Sequence, residues 1–145
     1  DISPSATRVA RENAERHGVA ERIRFRQGDL WEALEDGERV FHVIVSNPPY
    51  VDSAEFAELP LEIRDFEPRE ALNGREGGMY FIDRLFREGS DYLTAEGWMV
   101  VEMAPWQTEA ALRIAEGNSA YRENRRIRDY ANQYRVVMAE KGPHG

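Results

Sequence analysis

The sequence predicts an α/β layered fold with a mostly parallel sheet, and three observations carry that reading. Helical and strand patterns alternate along the chain. Two apolar runs of strand length, at 40–45 and 98–103, read as strands inside a sheet. Short polar sequences follow the strands at their carboxyl ends, where such sheets place their ligands.

Each element has a local cause. Ser3-Pro4 is a helix start, with Ser3 as N-cap and Pro4 at the first helical position. Ala6, Val9, Ala10, Asn13 and Ala14 recur at helical spacing, and Gly18 sits where a left-handed C-cap belongs. Ile23 and Phe25 alternate with arginines, which predicts a short strand over 22–26 ending at Gln27-Gly28-Asp29. The β-branched run 40–45 predicts a strand buried on both faces and halted by Asn47-Pro48-Pro49. Residues 51–77 hold Pro60, Pro68, Gly74 and Gly77 without sustained periodicity, as a functional loop would. Met79, Ile82, Leu85, Phe86 and Leu93 predict an amphipathic helix of about 17 residues closing near Gly97. A buried strand over 98–103 follows, then a helix over 107–116 with Ala110, Ala111, Ile114 and Ala115 inward. Strands over 121–129 and 134–139 close the chain as an antiparallel hairpin.

The 145 residues suit one domain that buries roughly 68–70% of its unfolded surface. Lys and Arg total 19 against 27 Asp and Glu, a formal charge of −8, so the basic footprint of a duplex nucleic-acid binder is missing. No apolar run reaches the roughly 18 residues of a membrane span, and no secretory signal pattern opens the chain. The absence of cysteine excludes disulfides, thiolate metal sites and cysteine nucleophiles. His17, His42 and His144 lack metal-ligand spacing, so no metal is expected. A cytoplasmic globular domain is the expectation. The chain opens Asp1-Ile2-Ser3 without methionine, which reads as a piece of something longer.

Asn47-Pro48-Pro49-Tyr50 is the sequence that carries chemistry. Successive prolines fix φ near −65° and offer no N–H, so this turn is stiff and rich in acceptors. The Asn47 side-chain oxygen and the Pro48 carbonyl suit a planar –NH2 group, which has two donors. Tyr50 adds a flat face against which an amide or base can lie. Such a corner positions an amino nitrogen toward an electrophile, without a strong base of its own. The plainer alternative is that the prolines merely stop a strand and Tyr50 packs on the surface.

Asn-Pro-Pro-Tyr after a strand resembles the signature of S-adenosylmethionine-dependent amino-methyltransferases with the Rossmann-like class I fold. A wider set of segments resembles the release factor glutamine methyltransferase family across nearly the whole chain. These are Asp1-Ile2-Ser3-Pro4, Asn13-Ala14, Gly28-Asp29-Leu30, residues 45–51, Glu67-Pro68-Arg69-Glu70-Ala71-Leu72, residues 128–131 and Arg135-Val136-Val137. Glu-Pro-Arg-x-Ala-Leu is the discriminating element.

The resemblance implies a sheet of order 3-2-1-4-5-7-6 with a C-terminal antiparallel hairpin. The first strand, its glycine-rich loop and the family's N-terminal helical domain are expected to lie outside this sequence. Residues 1–145 would then be the C-terminal part of one catalytic domain. It further implies that Asp1 accepts the ribose hydroxyls of S-adenosylmethionine and that Asp29 and Leu30 meet its adenine. Asn47, Pro48, Pro49 and Tyr50 would hold the substrate amide, with Asn47 also beside the cofactor. Arg69 would shape the substrate mouth, unless it simply pairs with a local carboxylate. The implied partner is a peptide chain release factor, methylated on the glutamine of its Gly-Gly-Gln loop. One departure is Glu102-Met103-Ala104-Pro105-Trp106-Gln107, where the family has glycine soon after the glutamate.

Two other readings remain open at this point. The same corner could take an exocyclic amine of adenine or guanine in nucleic acid, or the chain could be a non-catalytic fragment or binding module. A hydrolase is disfavoured by the lack of a nucleophile elbow and of cysteine.

Overall fold

The computed structural model describes residues 1–35, 41–52 and 54–143. The chain forms two compact units, Asp1–Glu38 and Arg39–Gly145. No helix among the described residues is long and apolar enough to cross a membrane.

In the first unit, α1 (Pro4–Arg16) starts as its sequence dictates. Ser3 Oγ accepts from the Ala6 amide at 3.3 Å, and Pro4 occupies a position that needs no donor. Gly18, at φ +66°, turns the chain out, and the Val19 amide returns to the Ala14 carbonyl at 2.9 Å. The expected inward stripe is only partly realised: Ala14 is buried, but Val9 is 49% exposed and Ala6 and Ala10 are exposed. A helix stripe is covered only where a sheet stands against it, and no strand forms in this unit among the described residues.

The strand expected over 22–26 is therefore a correction. Residues 20–22 form a 3-10 turn and 23–27 run on without a ladder. Asp1 lies alongside, its amino group donating to the Arg26 carbonyl at 3.1 Å and its carbonyl accepting from Gly28 at 3.1 Å.

The second unit is a four-stranded sheet with helices on one face. Its strands are β1 (Phe41–Ser46), β2 (Leu93–Glu102), β3 (Tyr121–Arg128) and β4 (Tyr134–Lys141). Their order is β1-β2-β4-β3, with β1 parallel to β2 and both β4 pairings antiparallel. This is the 4-5-7-6 half of the expected order. The crossover contains α2 (Leu61–Phe66), α3 (Arg69–Leu72) and α4 (Tyr80–Glu88), and α5 (Thr108–Glu116) follows β2. Ile82, Leu85 and Phe86 of α4 and Ala111 and Ala115 of α5 pack on Met99, Val101, Val137 and Ala139. All nine are at most 2% exposed. The two alanines let α5 lie close to the sheet.

Several boundaries differ from the sequence reading. The helix expected from 79 ends at Glu88, because a 3-10 turn over Gly89–Tyr92 takes over and Leu93 already begins β2. Asn118 holds that end: its amide donates to the carbonyls of Phe86 and Arg87 at 3.1 and 3.3 Å. Residues 105–107 form a 3-10 turn, so α5 begins at Thr108; Ala110 and Ile114 are half-buried. Short helices appear within 51–77 where no periodicity announced them.

The strand over 40–46 is also a correction, with Val40 lying outside the described residues. β1 is not buried on both faces: Val43 is 54% and Val45 73% exposed. Registered with Trp98 and Val100, they stand on the sheet face opposite α4 and α5.

On that open face Glu140 of β4, 8% exposed, receives a two-pronged ion pair from Arg122: Nε to Oε2 at 2.7 Å and a terminal nitrogen to Oε1 at 2.9 Å. The guanidinium holds this carboxyl below its ordinary value of 4.5. The folded chain thus binds the proton less readily than the unfolded chain, and the pair stabilises at neutral pH. Glu140→Gln is expected to lower stability in urea titrations at pH 7. The gap to wild type should narrow as pH falls below about 4.5 and close beneath the lowered folded value.

Candidate active site

The parallel strands β1 and β2 deliver two loops to the same end of the sheet. From β1 comes Asn47-Pro48-Pro49-Tyr50, with Asn47 exposed, Pro48 buried and Pro49 and Tyr50 half-buried. Among the described residues no hydrogen bond engages the Asn47 side chain or the Pro48 carbonyl. Both acceptors therefore remain available to an incoming amide, while prolines at 48 and 49 leave no N–H to compete.

A residue that the sequence reading did not single out fixes this corner. Gln107, 1% exposed, donates from Nε2 to the Tyr50 carbonyl at 3.0 Å and to the Gly78 carbonyl at 2.9 Å. Its Oε1 accepts from the Ala104 amide at 3.0 Å. One amide thereby spends both donors and its oxygen joining the loops that follow β1 and β2 to the start of α4. The approach is close enough to demand glycine at Gly78: a Cβ there would lie 2.2 Å from the Tyr50 oxygen, and its φ is +76°. The departure at 105–106 supplies this geometry. Pro105 opens the 3-10 turn that carries Gln107, and Trp106 faces outward, 55% exposed.

Tyr50 is held at its other end as well. Its hydroxyl accepts from Arg135 of β4 at 3.3 Å, and the same guanidinium reaches Glu102 Oε1 at 3.5 Å. Arg135 lies within a segment carrying the resemblance, but the sequence alone assigns it no role, since only strand pairing brings it beside Tyr50.

After Tyr50 the chain is tied to the crossover: Val51 donates to the Leu72 carbonyl and Gly74 to the Val51 carbonyl, each at 2.9 Å. Val51, Phe56, Ala57, Arg69 and Asn73 line a pocket next to the turn. Arg69 pairs with no carboxylate among the described residues. Its guanidinium lies over the Phe56 ring, 4.7 Å from the centroid, so the alternative of a local ion pair is set aside.

Asp1, Asp29 and Leu30 belong to the first unit. The Arg26 and Gly28 hydrogen bonds put Asp1 beside the Gly28-Asp29-Leu30 turn. Asp1 Oδ1 accepts from the Ser3 amide at 2.8 Å. Leu30 takes φ +45°, a left-handed conformation that is rare for a branched residue and costs of order 1–2 kcal/mol. Gly28 is required there, since a Cβ would meet the Ala33 amide nitrogen at 2.8 Å. The Asp29 carboxylate thus lies on a strained turn, with that of Asp1 beside it.

The chain is similar to known proteins along its length. A family model described as an RMKL-like methyltransferase domain matches residues 1–59. A release factor glutamine methyltransferase from Rhodopirellula baltica is 36% identical over 141 residues, covering 97% of this chain and 47% of that protein. One from Synechocystis is 36% identical over 139 residues, covering 96% of this chain and 46% of the relative. By sequence, the chain is similar over nearly its whole length to release factor glutamine methyltransferases. It spans about half the length of the curated relatives it matches. A ribosomal protein uL3 glutamine methyltransferase from Bradyrhizobium diazoefficiens is 38% identical over 103 residues, 71% of this chain and 31% of that one. A methyltransferase structure from Pyrococcus furiosus, 19% identical, superposes with a TM-score of 0.69 over 98% of this chain and 60% of its own. That likeness shows the fold.

The amide of Gln107 yields a prediction. Gln107→Leu keeps the bulk but leaves the Tyr50 and Gly78 carbonyls and the Ala104 amide without their partner. A loss of about 3 kcal/mol or more is expected by chemical denaturation, because three abandoned buried polar groups cost about 1–3 kcal/mol each. An unchanged midpoint would mean that the three-way tie does not hold the corner.

Proposed function

We propose that this chain carries the acceptor-binding half of a methyltransferase that modifies the side-chain amide nitrogen of a glutamine in a protein, with the Gly-Gly-Gln loop of a peptide chain release factor as substrate. The observation that carries the reading is the stiff, acceptor-rich corner at 47–50, fixed from behind by Gln107 and Arg135 while the Asn47 side-chain oxygen and Pro48 carbonyl stay unused. Residues 1–145 act as the C-terminal part of one class I catalytic domain, a reading supported by relatives that match through both units.

In this reading Asp1 accepts from the ribose hydroxyls of S-adenosylmethionine, and Asp29 and Leu30 meet the adenine. The two carboxylates and the strained Leu30 backbone of that turn fit such a ligand. Bound there, S-adenosylmethionine supplies a methyl group activated on a sulfonium. The chain's residues prepare the acceptor. A primary amide is a poor nucleophile because its lone pair is shared with the carbonyl. Asn47 Oδ1 and the Pro48 carbonyl accept its two N–H protons, drawing electron density toward nitrogen and fixing the plane of the amide. The Tyr50 ring, pinned through its hydroxyl, gives that plane a flat support. Arg69 on Phe56 offers donors to a substrate carbonyl at the mouth of the neighbouring pocket.

The test is methyl incorporation from labelled S-adenosylmethionine into a release factor, with the modified residue located by mass spectrometry. Label on the Gly-Gly-Gln glutamine is expected. Asn47→Ala should lower turnover by about 10²–10³-fold, the usual effect of removing one electrostatic contact to a reacting group. Calorimetric binding of S-adenosylmethionine should persist but weaken, because Asn47 also lies beside the cofactor in this reading. Cofactor binding without any labelled glutamine would overturn the substrate assignment.

A further inference from the structure

The acidic chain carries a net-positive stretch in its second unit. Residues 121–135 hold five arginines against two carboxylates, within a chain of net charge −8. Both carboxylates are engaged: Glu123 pairs with Arg125 at 3.6 Å, and Asp129 Oδ1 accepts from the Gln133 amide at 2.9 Å. Arg122 is taken by Glu140, and Arg135 by Glu102 and Tyr50. Arg126 and Arg128 have no carboxylate partner among the described residues. Their guanidinium groups instead lie 4.3 and 4.4 Å from the centroid of the Tyr134 ring. Arg128 is braced by two 2.9 Å bonds to the carbonyl and side-chain oxygen of Asn132, a residue at φ +62° in the hairpin turn. Tyr130 stands at the tip, fully exposed.

The register says where this cluster sits. Glu102 faces Val136, which faces Ile127, so the tip of the β3–β4 hairpin lies at the end of the sheet that carries Asn47-Pro48-Pro49-Tyr50. Arg126 and Arg128 are on the third strand over from β1, about 14 Å away at sheet spacing. Two stacked, pre-oriented guanidiniums beside exposed aromatic surface lose little freedom on pairing with carboxylates. We propose that Arg126, Arg128, Tyr130 and Tyr134 form a docking surface for an acidic segment of the protein substrate, set beside the turn that holds the glutamine. Charge complementarity selects the occupant, and the spacing lets the docked segment and the reacting residue belong to one polypeptide. The identity of the docked protein rests on the proposed function, whereas the surface itself does not.

The probe is a labelled poly-L-glutamate peptide, followed by fluorescence anisotropy over a range of salt. Wild type is expected to bind it with an affinity that falls as salt rises. The Arg126→Glu/Arg128→Glu double variant should bind about tenfold more weakly or worse, and Arg126→Lys/Arg128→Lys should keep most of the binding. If the charge-reversed protein does not fold by circular dichroism, Arg126→Gln/Arg128→Gln removes the charge without repulsion. No binding by wild type, equal binding by the neutralised variant, or tighter binding of single-stranded RNA than of poly-L-glutamate would each overturn the proposal. Methyl transfer to a short uncharged glutamine peptide separates the two readings. If wild type labels it, the double variant should match that rate while losing the intact protein substrate. If wild type labels neither, the catalytic reading falls and the anisotropy result stands alone.

Discussion

A single buried amide governs the geometry at the working end of the sheet. Gln107 joins the loop after β1, the glycine turn before α4 and the loop after β2 through three hydrogen bonds, leaving none of its own polar atoms idle. The arrangement is self-limiting: the backbone approaches so closely at Gly78 that no larger residue fits, and the amide must be fully paired because it is dry. Tyr50 therefore leaves the two prolines in one direction. Arg135 then fixes its ring from the far side, so the residue is clamped at its carbonyl and its hydroxyl.

In the proposed function, this division of labour lets a turn without a base serve amide chemistry. The groups that would touch an acceptor, Asn47 and the Pro48 carbonyl, are spared from internal hydrogen bonding. The groups that orient them are buried and saturated. Preorganisation is thus built into the packing behind the corner and costs nothing when a ligand arrives. The sheet contributes by geometry: parallel β1 and β2 bring both loops to one end, and antiparallel β4 delivers Arg135 and the arginine-bearing hairpin to that end from the opposite chain direction.

Much of the architecture was legible in the residues because its causes are local. Ser3-Pro4 and Gly18 bound α1; the spacing of Ile82, Leu85 and Phe86 marks the apolar face of α4; the hairpin pattern over 121–139 places β3 and β4. The misreadings share another origin. Residues 22–26 have strand chemistry, yet a strand is a relation between two segments, and no ladder forms there among the described residues. Val43 and Val45 are β-branched whether or not anything covers them, so their composition could not report a face that stays open. The apolar spacing from 79 overshoots α4 because Leu93 continues it while its backbone already belongs to β2.

The sequence by itself determined the α/β order, the stiff acceptor-rich corner at 47–50 and, through resemblance, the carboxylates expected to meet a cofactor. Those features are written in φ restriction, capping chemistry and periodicity, each acting over a few residues. Only the tertiary structure decided that Gln107 locks the corner, that Arg135 pins Tyr50 and that Arg69 lies on Phe56 rather than on a carboxylate. These contacts join residues that are 57, 85 and 13 positions apart or span separate loops, and hydrogen bonds at such separations are fixed by strand register and helix packing, which no local pattern encodes.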